Sequence, residues 1–201
     1  CTRMKNLLLI LAVVAALSAC KKGENDPFIS LKTRKGRLSG DWKVTHAVYS
    51  INDTVWTYNG TTLVKSMDGV ELSSFPVTHE FSFTKSGEYT INKTNEYPAN
   101  HFSPNTPAIT TRYLETGIWN FTGGAGDTKT KSQLLMQAER IEKRVDGLSE
   151  VDAEAFVNPL YGKVINLDML KNKEMRWKYD YTENKPTGKR TETGLWEFEK
   201  K

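Results

Sequence analysis

From Asp41 onward the chain alternates. Trp42, Val44, His46 and Val48 share one side of a two-residue period, and Asp41, Lys43 and Thr45 take the other, which is the pattern of a strand with one buried face. The period returns at His79, Phe81 and Phe83, at Tyr89 and Ile91, at Ile165, Leu167 and Met169, at Met175, Trp177, Tyr179 and Tyr181, and at Trp196 and Phe198. A chain that alternates in so many separate stretches buries its apolar positions on one side of a sheet, not along helices. Turn residues punctuate the stretches. Asn59-Gly60 between Thr54–Tyr58 and Thr61–Lys65 predicts a type I′ hairpin, Ser86-Gly87 and Lys171-Asn172-Lys173 mark two more, and Gly123–Asp127 reads as a loose turn between Gly117–Phe121 and Thr128–Met136.

Two regions read differently. Residues 95–110 hold Pro98, Pro104 and Pro107 and read as the longest loop, because proline is confined to sheet edges and loops. Gln133–Leu148 fits two periods at once: Leu134 and Met136 extend a strand, while Leu134, Ala138, Ile141, Val145 and Leu148 fit a helical face. The reading taken here is a strand running into a short helix. A further short helix is expected before Gly40, started by Asp26-Pro27, with Phe28, Leu31 and Leu38 at helical spacing. Its Lys32, Arg34, Lys35 and Arg37 are read as a solvated face, with contact to anionic headgroups as the sharper alternative.

The N-terminus carries an address. Cys1-Thr2-Arg3 precedes the first Met and reads as a non-native remnant; Met4-Lys5-Asn6 then leads into the apolar run Leu7–Ala19. That run falls short of the roughly 20 residues a membrane-crossing helix needs and reads as a secretory leader over 1–19. It ends in Leu17-Ser18-Ala19-Cys20, which resembles the bacterial lipobox. The resemblance implies cleavage before Cys20 and acylation of its sulfur, so residues 20–37 are expected to form a lipidated tether and short helix, and 38–201 the folded domain. The membrane partner is then reached through the lipid on Cys20. Lys21 to Asp26 partly resembles the export tag of surface lipoproteins of Bacteroidetes, and an outer-membrane location is expected, facing either side.

Composition narrows the chemistry. Without the leader's Arg3 and Lys5, 26 basic side chains stand against 24 acidic ones, too even a balance to argue for nucleic acid. Cys1 and Cys20 are the only cysteines, so the expected mature domain has no thiol beyond the acylated one. His46, His79 and His101 form no His-x-His or His-x-x-x-His pair, and no Gly-x-Ser-x-Gly elbow is present. No metal, cofactor or catalytic role is expected; an inward His46 or His79 with a carboxylate such as Glu80 is the one acid–base arrangement considered.

About eight to ten antiparallel strands joined by hairpins hide their edges by closing, so the fold expected is an all-β up-and-down barrel with a short N-terminal helix. Gly40-Asp41-Trp42 resembles the Gly-x-Trp signature that opens lipocalin barrels. Phe81–Tyr89, Glu115–Trp119 and Leu170–Trp177 are similar to stretches of the lipocalin-like lipoproteins of Bacteroidetes. The resemblance implies a barrel that binds or sequesters a small hydrophobic or amphiphilic molecule, with a basic residue near the last strands, Arg176 or Arg190, packed on Trp42. Segment 138–162 departs from the family pattern.

On this reading the lining is Trp42, His46, His79, Phe81, Phe83, Tyr89, Trp119, Trp177 and Tyr179, with Trp196 and Phe198 on the same faces. The same rings are enough to fill a solid barrel, and then the protein is a structural or interaction lipoprotein working through loops 95–110 and 138–162, on glycan or protein. One internal echo stands out: Glu115-Thr116-Gly117-Ile118-Trp119-Asn120-Phe121 recurs as Glu192-Thr193-Gly194-Leu195-Trp196-Glu197-Phe198, as if two meanders end in the same inward strand.

Overall fold

The computed structural model describes residues 32–122, 133–146, 151–154, 162–185 and 188–201. A short helix, α1 (Arg34–Leu38), precedes eleven strands: β1 (Gly40–Ile51), β2 (Thr54–Tyr58), β3 (Thr62–Met67), β4 (Val70–Phe83), β5 (Glu88–Tyr97), β6 (Ile109–Thr122), β7 (Gln133–Val145), β8 (Val151–Glu154), β9 (Lys163–Leu170), β10 (Glu174–Lys185) and β11 (Gly188–Lys200). Ten of them pair in an antiparallel up-and-down ring, and β8 hangs on β7 as an added arm. Closure runs through β1 and β11, from Trp42 opposite Lys200 to Ile51 opposite Glu192. The expected all-β barrel with a short N-terminal helix is what forms, and closing the ring leaves no open edge in it.

The barrel has two widths. Gly40–Lys43 at the start of β1 pair directly with Phe83–Glu80 of β4. Further along, Ala47–Ile51 pair with β2, and β3 pairs with β4, so the β2–β3 hairpin wedges between β1 and β4 in one half only. Eight strands ring the narrow end, and the hairpin completes the ten. Tyr58 fills the fork: its hydroxyl donates to Gly60 O at 2.8 Å and to Val77 O at 3.0 Å, while Val77 N donates to Thr61 O.

The turn at this fork is not type I′. Gly60 has φ +96°, but Asn59 is not among the residues with positive φ, as that turn requires. Asn59 Oδ1 instead accepts from Thr61 N and Thr62 N. The pair with both φ values positive is Asp68-Gly69, which joins β3 to β4.

A plug closes the narrow end. Thr33 caps α1 by accepting from Gly36 N, and Leu38 is wholly buried beneath the ring. Trp42 Nε1 donates to Leu38 O at 2.7 Å, which ties the first strand to the helix. Lys200 Nζ lies 4.9 Å from the Trp42 ring centre and donates to Arg37 O and Ser39 O. Among the described side chains the cation on the opening tryptophan is Lys200 and not Arg176, which pairs with Asp168 at 2.6 Å; the Arg190 side chain lies outside the described residues. The expected solvated face of the helix is only half right: Arg34 and Arg37 are 4% exposed, and Arg34 sits 5.9 Å from the Phe121 ring centre. The expected start at Asp26-Pro27 lies outside the described residues.

Two strand expectations change. The pairing of β1 with β11 slips between Val44 and His46, so Thr45 is an extra residue. Beyond this bulge the phase inverts: Ala47 is buried and Tyr49 packs on the core, while His46 and Val48 turn outward. Gln133–Val145 is strand throughout, with its own slip at Glu139 opposite Thr116 and Gly117. No helix follows within 133–146, because β6 supplies partners along the whole length of β7. Residues 147–150 and 155–161 of the expected irregular region lie outside the described residues.

Candidate functional site

The inward faces change character along the barrel axis. Around the narrow end, Trp42, Phe83, Trp119, Leu134, Leu170, Met175 and Phe198 are shut off from solvent. Edge-on contacts lock the rings: Phe83 to Trp119 at 6.0 Å, Phe81 to Trp177 at 5.2 Å and Phe81 to Phe198 at 5.2 Å between centres. Further up the inward faces are mixed: Tyr58, Leu63, Phe75 and Val77 are closed to solvent, while Tyr49, Trp56, His79, Ile91, Lys93, Tyr97 and Trp196 keep part of their surface open. A packed floor thus underlies a wider half, called the cup below, in which part of the inward side chains are accessible.

The residues expected to line the interior divide between these zones. Trp42, Phe81, Phe83, Tyr89, Trp119 and Trp177 belong to the packed floor and its upper layer. His79 and Tyr179 face the cup. His46 does not: the bulge at Thr45 sends it outward, where its side chain is 42% exposed and its Nδ1 lies 3.9 Å from Glu197. Glu80, the carboxylate considered for acid–base work, is on the outer face and pairs with Lys201. Cys20 lies outside the described residues.

The charged and phenolic partners Glu115, Tyr113 and Lys93 were missed. Tyr89 Oη donates to Glu115 Oε1 at 2.6 Å and Tyr113 Oη to Glu115 Oε2 at 2.5 Å, and Glu115 is 6% exposed. Burial first, and then the Glu115 carboxylate, push the Tyr89 phenol far above its ordinary range, and burial with the Glu115 hydrogen bond does the same to Tyr113. Both phenols therefore stay protonated and keep donating. Carrying the alternation of Tyr89 and Ile91 two steps further finds Lys93. Running it back from Trp119 through Gly117 finds Glu115 and Tyr113.

Lys93 and His79 face each other across β4 and β5 on the inward side. Burial, aided by the neighbouring Lys93 charge, lowers the His79 imidazole to about 3, so it is neutral near pH 7. Burial also lowers the Lys93 ammonium. Lys93 has no hydrogen-bond or ion-pair partner among the described residues. The His79 ring contacts Phe81 at 5.0 Å and Trp196 at 5.2 Å, and beneath them the buried Trp177 Nε1 finds no acceptor.

One wall of the cup is a row of stacked rings. Trp56, Tyr49 and Trp196 follow one another on β2, β1 and β11, with centres 6.1 and 5.3 Å apart and planes within 16°. At the rim the segment expected as loop 95–110 is shorter, residues 98–108, because β5 continues to Tyr97 and β6 begins at Ile109. His101 packs on Tyr97 and Phe75, while Phe102 remains 61% exposed. No family model, no curated protein and no solved structure matches the chain.

Proposed function

We propose that the protein is a non-catalytic binding protein whose barrel holds a small hydrophobic or amphiphilic molecule in its wide half, in the manner its lipocalin-like motifs imply. The observation that carries this reading is the change along the inward faces, from a floor that excludes solvent to walls of Tyr, Trp, His and Lys that keep surface open. Apolar walls with a few placed polar groups are what small-molecule sites are built from.

In the same proposal Cys20 carries the lipid that holds the domain at the outer membrane. A groove of about 520 Å³ beside α1, lined by Lys32, Lys35, Lys85 and Lys200, supports an orientation with the floor toward anionic headgroups and the mouth away. The chain enters the barrel at this same end. A second reading, interaction through the rim, draws its support from Phe102, held out on a loop that Asn100 ties down through Thr106 and Asn105.

Native mass spectrometry of protein extracted from its own membrane, joined to displacement of an apolar fluorescent probe, tests the first reading. We expect a co-purifying small molecule and saturable probe binding quenched at the tryptophans. Bare protein that also fails to take up the probe would overturn it in favour of the rim.

A further inference from the structure

We propose that the cup selects amphiphiles with an anionic head, seating the head against Lys93 and His79 and the tail along the Trp56–Tyr49–Trp196 wall. This rests on the reading of the wide half as a binding cup and goes beyond it by fixing the charge of the ligand and its orientation, head inward.

The argument is a count of partners. Glu115, the buried carboxylate of this wall, already accepts from two phenols, one on each oxygen, so its charge is met from within the barrel. Lys93 is in the opposite state. It is an inward ammonium without an acceptor among the described residues, and its cross-strand neighbour His79 has no hydrogen bond there either. Trp177 adds a buried indole N–H without an acceptor, two ring contacts from His79 through Phe81.

Lys93 is thus the one of these groups that carries a charge: the uncommitted acceptors on the same inward faces, Asn95 Oδ1 and the second nitrogen of neutral His79, bring no counter-charge, and the Glu192 carboxylate acts on Tyr49 and Tyr179. A partly buried cation without a counter-charge beside it is unfavourable, and a ligand that brings a carboxylate or similar anion offsets this with charge-assisted hydrogen bonds. A neutral head leaves Lys93 unmatched, and a cationic head repels it. The geometry also orients the tail. Trp196 touches His79 edge-on at 5.2 Å and continues through Tyr49 to Trp56 across β11, β1 and β2, so an apolar chain leaving the head can follow this row of rings around the wall.

The experiment compares three ligands with one tail: dodecanoate, dodecanol and dodecyltrimethylammonium, each below its micelle concentration, titrated into the delipidated full chain by calorimetry and tryptophan fluorescence. Dodecanoate is expected to bind roughly tenfold or more tighter than dodecanol, and the ammonium weakest. Lys93→Met is expected to abolish the preference for dodecanoate over dodecanol, and Lys93→Arg to keep it. If dodecanol and dodecanoate bind alike in the wild type, the anion site is wrong and the cup stands. If none of the three binds, the cup falls too. The wild-type comparison needs no variant to fold, and Lys93→Gln provides a second substitution should the Met variant misfold.

Discussion

Below the fork, where eight strands ring the axis, inward positions hold Trp42, Phe83, Trp119 and Phe198, all closed to solvent. Above it, where β2 and β3 widen the ring, inward positions hold Tyr49, His79, Lys93 and Trp196, and each keeps some surface open. Both zones obey the same alternation. The difference is circumference: two more strands widen the ring, and Tyr58, Leu63, Phe75 and Val77 close only part of that half. The floor can then concentrate the packing that stabilises the chain, and the cup can carry buried polar groups that a filled core would not tolerate. Stability and chemistry are separated along one axis.

The largest expected effect breaks the floor. Trp42→Ala removes a ring that is wholly buried, bonded through Nε1 to Leu38 O and covered by Lys200. It is expected to cost about 3–5 kcal/mol in urea unfolding. Tyr49→Ala, in the cup, removes a ring stacked on two neighbours but open on one side, and is expected to cost about 1–2 kcal/mol. Equal losses at the two positions would show that the wide half is as tightly packed as the floor.

The repeated Thr-Gly-x-Trp sharpens the contrast at one atom. Gly117 lies opposite Tyr89 and Gly194 opposite Tyr179, so each glycine makes room for a cross-strand phenol. A Cβ on Gly117 would also lie 2.1 Å from Gln137 O and 2.9 Å from Ala138 Cα, which are backbone at the β7 slip and have nowhere to go. On Gly194 the nearest atoms belong to the Tyr179 ring, which has the cup to swing into. Gly117→Ala is expected to cost about 2–3 kcal/mol and Gly194→Ala less than about 1 kcal/mol, read as midpoint shifts in the same unfolding assay.

Much of this was legible in the chain and part of it was not, for reasons that can be named. Trp177, Phe81 and Phe198 were placed correctly because a simple period of two survives wherever the ladder is regular. His46 was misplaced because Thr45, the extra residue of a bulge, looks like any other threonine; only pairing with β11 shows that it is counted once too often. The helix read into Gln133–Leu148 came from a similar slip, which gave a strand the spacing of a helical face. Lys93 and Glu115 were missed for another reason: a charge on an inward position reads as the end of an apolar face. Lys200 was passed over in favour of arginines because sequence distance does not show that the last strand closes on the first.

His79 and His46 carry the smallest and most diagnostic comparison. With its folded value near 3 against an ordinary 6.5, His79 stays neutral in the barrel while the unfolded chain takes up a proton. Its contribution is fully present above pH 6.5 and is lost progressively as the pH falls toward 3, about 3 kcal/mol of it by pH 4.5. His79→Gln is therefore expected to flatten the acid limb of the stability profile relative to wild type, whatever it does to stability at neutral pH, because glutamine takes up no proton in either state. His46→Ala removes an outward ring beside Glu197. It is expected to change stability at neutral pH by less than about 0.5 kcal/mol and to leave dodecanoate affinity alone. A loss of affinity in His46→Ala would mean that β1 runs without its bulge, and then Val48 rather than Tyr49 would face the lumen and the stacked wall would not exist.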